Sequence, residues 1–271
     1  MNYNQDYYQG KTAVVTGAAS GIGLALVEEL LLCDASKVVM ADINVGNLTK
    51  HEARLKVQYG DRVKGLLCDV TKEENVKRLI GESAAFFDGR FDLLINNAGA
   101  GFVSVFGETT NEQWKLAFDL NFYAALYGMR EVLPIMCEQG SGQIINIISG
   151  IAFIPFPYQT LYSATKAALN GLSLALRYEY GDDNIKISSA TPGTTNTAIW
   201  GDTPVPETAQ SPQESASHIL KGAAQNYRLI FGDDIDLKFA KVCFDHEKQE
   251  RMDELGFNVS RARRKGESGI K

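Results

Sequence analysis

The chain has 271 residues, of which 45% are hydrophobic and 22% are charged. These values are ordinary for a globular α/β protein, and the length is enough to bury a substantial core. The net charge of -6 gives no electrostatic reason to bind nucleic acid. The four cysteines are far apart and the three histidines form no pair with metal-ligand spacing, so neither a disulfide framework nor a metal site is predicted.

Apolar strands and helices with apolar periodicity alternate along the chain. The sequence predicts strands at residues 11–17, 36–42, 62–70, 91–99, 142–149, 185–193 and 227–232, and helices at about 22–33, 44–59, 72–87, 111–138, 158–180 and 211–226. We expect Thr110 or Asn111 to cap the long fourth helix, and Pro134 to kink it near its end. The alternation predicts a single-domain, Rossmann-like α/β fold, a doubly wound parallel sheet with helices on both faces.

The sequence contains no repeat and no linker, so we predict one domain over residues 1–271 with its core at about 10–232. Residues 194–212 are polar, contain prolines and predict a loop or lid. From residue 233 onward we expect an exposed amphipathic tail. We interpret its basic cluster at 260–265 as a solvated end or as a contact with a partner subunit. A nucleic-acid patch is the less favoured alternative.

Neither a secretory signal nor a membrane span is predicted. The first eleven residues have no apolar stretch of the kind that a signal peptide needs. The most apolar segment, residues 144–158, is too short to cross a bilayer and contains two prolines. We therefore expect a cytoplasmic protein with reduced cysteines, no nucleic-acid partner and no membrane partner.

The turn after the first strand, TGAASGIG at residues 16–23, is typical of a nucleotide-binding loop. Gly17, Gly21 and Gly23 let the backbone approach a phosphate, and the N-terminus of the next helix supplies N–H donors. A tight turn with no ligand is the simpler alternative for a glycine pattern. Here a strand precedes the turn and a helix follows it, as a dinucleotide fingerprint requires.

Asp42 ends the second strand, nineteen residues after Gly23. Its carboxylate can accept hydrogen bonds from the adenosine ribose hydroxyls and would repel a 2′-phosphate. No lysine or arginine stands beside it or within the glycine loop. The sequence therefore predicts NAD rather than NADP as the cofactor, with a helix-capping role for Asp42 as the alternative.

These segments and several others follow one another along the chain in the same order as the motifs of one known family. The chain resembles the short-chain dehydrogenase/reductase family over about residues 10–232. The matching segments are TGAASGIG at 16–23, Asp42, CDV at 68–70, NNAG at 96–99, Asn121, Ser149, YSATK at 162–166 and PGTTNT at 192–197. The resemblance implies an NAD-dependent alcohol dehydrogenase or ketone reductase that transfers a hydride without a metal.

The resemblance also implies four catalytic residues. Tyr162 would be the general acid/base, and Lys166, one helical turn away, would favour its phenolate, since a free phenol has a pKa of about 10. Ser149 would donate to the substrate oxygen. Asn121, in a helix with a local bulge, would support a water that links Lys166 to solvent. A partly buried tyrosine beside a solvated lysine is the simpler alternative.

The positions that match the cofactor-binding residues of the family form a larger set. They are Gly17, Ser20, Gly21, Ile22, Gly23, Asp42, Ile43, Asp69, Val70, Asn97, Ala98, Gly99, Tyr162, Lys166, Pro192, Gly193, Thr195 and Thr197.

The residues placed to line the substrate site are mostly apolar or aromatic. They are residues 100–102, Ile151, Phe153, Ile154, Phe156, Tyr158, Ile199 and Trp200. They predict a small hydrophobic secondary alcohol or ketone as substrate, with core or subunit contacts as the alternative for each. Trp200 is a lid candidate. The two longest helices carry apolar residues on more than one face and predict a homodimer or homotetramer.

Two other functions use the same fold. One is a non-catalytic nucleotide-binding sensor or scaffold, which would have no chemical need for all four catalytic residues. The other is an epimerase or dehydratase acting on nucleotide sugars, which usually has a larger C-terminal substrate domain than this chain provides.

Overall fold

The computed structural model describes residues 5–201 and 204–266. In that part of the chain seven parallel strands form one sheet. They are β1 (Thr12–Thr16), β2 (Lys37–Asp42), β3 (Val63–Leu67), β4 (Leu93–Asn96), β5 (Gly142–Ile147), β6 (Ile185–Thr191) and β7 (Leu229–Phe231). Their order across the sheet is β3-β2-β1-β4-β5-β6-β7. The predicted doubly wound α/β fold is confirmed.

Helices cover both faces of this sheet. They are α1 (Gln5–Tyr8), α2 (Gly21–Leu32), α3 (Val45–Tyr59), α4 (Glu73–Phe86), α5 (Asn111–Phe118), α6 (Ala124–Gln139), α7 (Thr160–Glu179), α8 (Pro212–Ala224), α9 (Asp234–Cys243) and α10 (Gln249–Arg264). One apolar core lies between the sheet and α2, α3 and α8. The other lies between the sheet and α4, α6 and α7.

The strands are apolar throughout because both faces of a parallel sheet are buried. All five residues of β1 are buried. Val15 points into the core beneath α2, and its neighbour Val14 points into the opposite core, as the two-residue period of a strand requires. Continuous apolar runs rather than alternating ones were therefore the correct signal for these strands.

The order of the strands reverses beside β1. The chain runs outward from β1 to β3 and then crosses back to place β4 on the other side of β1. In an open α/β sheet, ligands bind in the crevice outside the carboxyl ends of the strands at such a reversal. The loops after β1, β4, β5 and β6 meet at this edge.

The helix predicted over residues 111–138 is divided into two α-helices. Thr110 caps α5 in a capping box with Gln113. A π-helical turn, Asp119–Tyr123, then separates α5 from α6. The second helix remains α-helical past Pro134 as far as Gln139. The irregularity therefore lies in the π turn and not at the proline.

The prediction of an exposed tail after residue 233 is wrong for the described part of it. Phe239 and Cys243 of α9 pack against the core beneath α4, α6 and α7. The Cys243 thiol donates to the carbonyl of Phe153 at 2.7 Å, and Arg263 of α10 donates to the carbonyl of Pro157. Residues 267–271 of the predicted tail lie outside the described residues. An amphipathic pattern alone does not tell which surface a helix will cover.

A short N-terminal helix, α1, was not predicted. Its Tyr8 is buried, and the phenol donates to the carbonyl of Leu220 at 2.7 Å. Within residues 5–201 and 204–266, none of the helices combines the length and apolar character that a membrane crossing needs.

Candidate active site

Tyr162 and Lys166 lie on one face of the first turns of α7. The Lys166 ammonium is enclosed, with the side chain only 3% exposed, and it donates to the carbonyl of Ile147 at 2.8 Å. Its Nζ is 5.8 Å from the centroid of the Tyr162 ring. Tyr162 keeps part of its surface accessible. The four-residue spacing therefore brings a phenol and a cation into one space at the end of β5.

The pKa values of this pair differ from the sequence expectation. Burial raises the pKa of Tyr162 to about 12, against a hydrogen bond with Ser149 that lowers it, and the charge of Asp236 raises it further. Burial lowers the pKa of Lys166 to about 8. In the protein alone, the loss of solvent around the phenol therefore outweighs the expected stabilisation of a phenolate by Lys166.

Ser149 lies two residues after the end of β5, in extended backbone, and caps the short 3-10 helix Gly150–Ala152. Its hydroxyl accepts a hydrogen bond from the backbone N–H of Ile151 at 3.4 Å. The same hydroxyl is hydrogen-bonded with Tyr162. Two hydroxyls that can donate to one substrate oxygen thus stand side by side.

Asn121 occupies the π turn, where the widened backbone turns its side chain toward the sheet edge. Its amide oxygen accepts from the N–H of Ala100, and its amide nitrogen donates to the carbonyl of Ala100, both at 3.0 Å. A Cβ on Gly99 would lie 2.7 Å from the Asn121 oxygen and 3.2 Å from Lys166 Nζ. The π turn is therefore joined to the loop after β4 through Ala100, and Gly99 leaves space beside both Asn121 and Lys166.

The glycine loop has the backbone that the sequence predicted. Gly17 and Gly21 have φ values of 64° and 52°, a left-handed conformation that side chains disfavour. A Cβ on Gly23 would overlap the carbonyl oxygen of Gly17. Ser20 is exposed at the start of α2 and makes no capping bond with its own side chain, while Ile22 is partly buried against the core.

Asp42 is held at the end of β2 and supports this loop. One carboxylate oxygen accepts from the N–H of Ala19 at 2.9 Å, and the other accepts from the N–H of Asn44 at 2.8 Å. The N-cap of α3 is Asn44, so the alternative role of Asp42 as the cap of that helix is wrong. Ile43 beside it is 66% exposed at the sheet edge.

The segments after β3 and β4 also reach this edge. Asp69 accepts hydrogen bonds from the backbone and hydroxyl of Thr71, at 3.0 and 2.7 Å, and Val70 is buried. The Asn97 amide donates to the carbonyl of Thr16 at 2.9 Å. The N–H of Ala98 donates to the hydroxyl of Thr16 at 3.1 Å. The loop after β4 is therefore fixed to the glycine loop.

The loop after β6 meets the glycine loop from the other side. Thr195 is buried, and its hydroxyl donates to the carbonyl of Pro192 at 3.1 Å. Gly193 has a φ of 72°. A Cβ on Gly21 would lie 3.3 Å from the methyl group of Thr197. Thr197 also caps the 3-10 helix Ala198–Trp200 by accepting a hydrogen bond from the N–H of Ile199.

The expected substrate lining is only partly present. Phe153 and Ile154 are buried in the core and Ile151 is buried beside them, so their use as free pocket walls is wrong. Ile199 is 54% exposed and lies against the loop after β4, since a Cβ on Gly101 would be 3.6 Å from it. Trp200 is anchored to the carbonyl of Thr195 at 2.8 Å.

Sequence reasoning missed one ionisable residue at this edge. Asp236 of α9 lies against Gly150, where a Cβ would overlap its carboxylate oxygen. Asp233, the N-cap of α9, fixes its position by accepting from the N–H of Asp236 at 2.7 Å and from the N–H of Thr194 at 2.8 Å. An aspartate cap directly after a predicted strand could have revealed α9, but not its contact with Gly150.

Comparison with known proteins assigns this fold and site to a family. The short chain dehydrogenase family model matches residues 11–207. The chain therefore belongs to the short-chain dehydrogenase/reductase family of oxidoreductases, which confirms the resemblance.

Relatives and solved structures agree with this assignment. An uncharacterized oxidoreductase of Staphylococcus saprophyticus is 37% identical over 195 residues, covering 72% of this chain and 82% of that protein. A short-chain dehydrogenase/reductase from Burkholderia phymatum in complex with NAD has a TM-score of 0.81 and 26% identity, covering 90% and 95% of the two chains. L-sorbose reductase from Gluconobacter frateurii, complexed with NADPH and L-sorbose, has a TM-score of 0.74 and 30% identity, covering 83% and 95%.

Proposed function

We propose that the protein is an NAD-dependent oxidoreductase that interconverts a hydrophobic secondary alcohol and its ketone. The observation that carries the proposal is the grouping of Ser149, Tyr162 and Lys166 at the carboxyl edge of the sheet, next to Asn121. A sensor or scaffold of the same fold has no use for a hydrogen-bonded Ser–Tyr pair above a buried ammonium.

The residues at the sheet edge where the strand order reverses beside β1 fit a dinucleotide. The left-handed glycines and the N-terminus of α2 form a cradle for phosphates, and Thr197 faces the same cradle. When bound, the cofactor supplies the carbon that gives or takes a hydride, and its oxidised ring adds a positive charge near the phenol. The preference for NAD rests on Asp42, because similar structures hold either NAD or NADPH.

The protein's own residues move the proton. In alcohol oxidation the Tyr162 oxygen takes the hydroxyl proton, and in ketone reduction it returns a proton to the carbonyl oxygen. Ser149 holds that oxygen by a hydrogen bond. Lys166, with its ammonium enclosed beside the ring, favours the phenolate that forms, and Asn121 holds the loop of Ala100 through its side-chain amide.

The substrate side is closed by apolar groups. Ile199 faces the loop after β4, and Trp200 beside it is anchored to Thr195, which favours a small hydrophobic alcohol or ketone over a nucleic acid or a membrane surface as the partner. We propose a cytoplasmic homodimer or homotetramer as the working form.

A cofactor-coupled screen tests the proposal. Purified protein is offered a panel of secondary alcohols with NAD or NADP, and reduced nicotinamide is followed by absorbance. We expect turnover of at least one alcohol with NAD, and a loss of about 100-fold or more in Tyr162→Phe, because one general acid/base contributes roughly that much. NADH affinity, measured on both proteins, should be nearly unchanged. Equal turnover by Tyr162→Phe would exclude the mechanism, and NADH binding without any turnover would favour a sensor.

A further inference from the structure

A carboxylate from the C-terminal part of the chain lies against Gly150, the residue that follows Ser149. Asp236 is the third residue of α9, a helix beyond the residues that the family model matches. Its carboxylate lies on Gly150, the residue after Ser149, in a space that any side chain at position 150 would fill. Its charge reaches the phenol of Tyr162.

The position of this carboxylate is fixed by its own helix. Asp233 caps α9 and is bound to the N–H of Thr194, so the first turn of α9 is attached to the loop after β6. Thr191, the last residue of β6, and Gly193 of the loop after it lie beside the Asp236 carboxyl. The carboxylate is therefore held between the ends of β5 and β6, beside the residue that follows Ser149.

One oxygen of this carboxylate is not satisfied within the described protein. Asp236 Oδ2 is buried and makes no hydrogen bond with any described residue. The groups that set the pKa of this carboxyl in residues 5–201 and 204–266 are burial, Thr191, Asp233 and Gly193, and no cation is among them. A buried acceptor without a donor costs free energy, and this one also opposes the phenolate that catalysis needs.

We propose that Asp236 is a specificity residue that accepts a hydrogen bond from a second hydroxyl of the substrate, on the carbon next to the reacting one. The inference rests on the proposed function and narrows its substrate to vicinal diols and α-hydroxy ketones with an apolar remainder. A neutral hydroxyl fits better than an ammonium group, because the Lys166 cation and the positive charge of an oxidised nicotinamide would repel a second cation.

Matched pairs of alcohols test the inference at pH 8, where the carboxylate is ionised. The pairs are cyclohexane-1,2-diol against cyclohexanol and butane-2,3-diol against butan-2-ol. For the wild type we expect kcat/KM to favour the diol by about tenfold or more, because a site built around a buried polar group discriminates against substrates that leave it unpaired. Asp236→Asn should lower this ratio about tenfold, mainly through the KM of the diol.

Asp234→Asn is the matched control, since Asp234 stands on the same turn of α9 with an exposed side chain. It should keep the wild-type ratio. A general loss of folding would lower kcat/KM for both members of a pair and leave their ratio unchanged, so the ratio separates recognition from structure. A wild-type ratio near one, or an Asp236→Asn ratio equal to that of the wild type, would overturn the inference and leave the proposed function intact.

A binding measurement covers the case in which none of the four alcohols is turned over. The NADH complex is then titrated calorimetrically with 2-hydroxycyclohexanone and with cyclohexanone. Tighter binding of the hydroxy ketone by the wild type, lost in Asp236→Asn, would support the inference, and equal or absent binding would overturn it. Failure of the wild type to bind NADH at all would instead refute the proposed function.

Discussion

At the scale of single residues, we propose that Asp42 carries the choice of cofactor. Its carboxylate already accepts a hydrogen bond from the N–H of Ala19, so it both shapes the glycine loop and places a negative charge beside it. That charge would repel the 2′-phosphate of NADP. Sequence reasoning found the residue from its position after β2, but it did not find the bond to the loop, because that bond depends on how β1 and β2 end side by side.

Asp42→Ala should lower the ratio of kcat/KM for NAD to that for NADP by about tenfold or more, since about 1.4 kcal/mol of repulsion corresponds to a factor of ten. Asp42→Asn is the control for loop shape, because it retains an oxygen for the N–H of Ala19 and loses the charge. We expect it to shift the ratio in the same direction. A ratio unchanged in both variants would remove Asp42 from this role.

Asp236 should make the stability of the protein depend on pH. Burial, with Asp233 nearby, raises its pKa from 3.8 to about 6, against the lowering effects of Thr191 and Gly193. The folded state therefore binds the proton more tightly than the unfolded chain does, and the free energy of unfolding falls as pH rises through this window. Between pH 5 and pH 8 the loss from this group is about 1 kcal/mol.

In Asp236→Asn this loss should be absent. Urea unfolding of the wild type and the variant at pH 5 and pH 8 measures it. We expect the stability of the variant relative to the wild type to increase by about 1 kcal/mol from the lower to the higher pH. A difference that stays constant with pH would mean that Asp236 does not titrate as an enclosed carboxyl.

At the scale of elements, the π turn is the feature that a helical pattern predicts least well. An asparagine inside a helix suggested a local bulge, and the structure has one over Asp119–Tyr123. The proline that seemed to be the break, Pro134, lies within regular helix. The periodicity of apolar residues tells which face of a helix is buried, but it does not locate a π turn. Here the π turn depends on the contacts that Asn121 makes with the loop after β4.

Gly99→Ala tests this contact. Its Cβ would lie 2.7 Å from the Asn121 amide oxygen and 3.2 Å from Lys166 Nζ, so Asn121, Lys166 or the loop must move. We expect a loss of activity of about tenfold or more and a destabilisation of roughly 1–3 kcal/mol, as is usual for overpacking. Gly81→Ala is the control. No atom lies within 4 Å of its Cβ, and alanine at this α4 position should stabilise the protein by up to about 1 kcal/mol with unchanged activity.

At the scale of the whole molecule, apolar side chains are exposed to solvent along the helices from α5 to α7. Leu116 is 51% exposed and Tyr123 is 39% exposed. A groove of about 350 Å³ between α6 and α7 is lined by Leu133, Leu172 and other mainly apolar residues. Patches of this kind mark association surfaces, and they agree with the expectation of a homo-oligomer.

Leu116→Glu should weaken the predicted association, because it places a charge on the apolar surface that we expect subunits to share, while replacing a side chain that is already half exposed. Analytical ultracentrifugation should show the wild type as a dimer or tetramer and the variant shifted toward the monomer. Val57→Glu, on the 90% exposed Val57 of α3, is the control and should not shift it. A wild type that sediments as a monomer would contradict the prediction.

The C-terminal helices mark the limit of what the sequence could tell. The strands and the glycine loop followed from local patterns, and the four candidate catalytic positions followed from the family resemblance. The contacts of α9 with Gly150 and of Arg263 with Pro157 join segments far apart in the sequence, and nothing in either segment specifies the other. For that reason an exposed tail was expected where the structure has a packed helix, α9, and the carboxylate of Asp236 against Gly150.

The central claim is that the buried ammonium of Lys166 allows Tyr162 to transfer a proton despite a pKa of about 12 in the protein alone. The most direct test is the pH dependence of hydride transfer during alcohol oxidation, measured under single-turnover conditions for the wild type and Lys166→Met. We expect the wild-type rate to rise with pH and to level off well below pH 12, and the rise in Lys166→Met to move up by at least about one pH unit, since the cation no longer favours the phenolate. The same apparent pKa in both proteins would contradict the account.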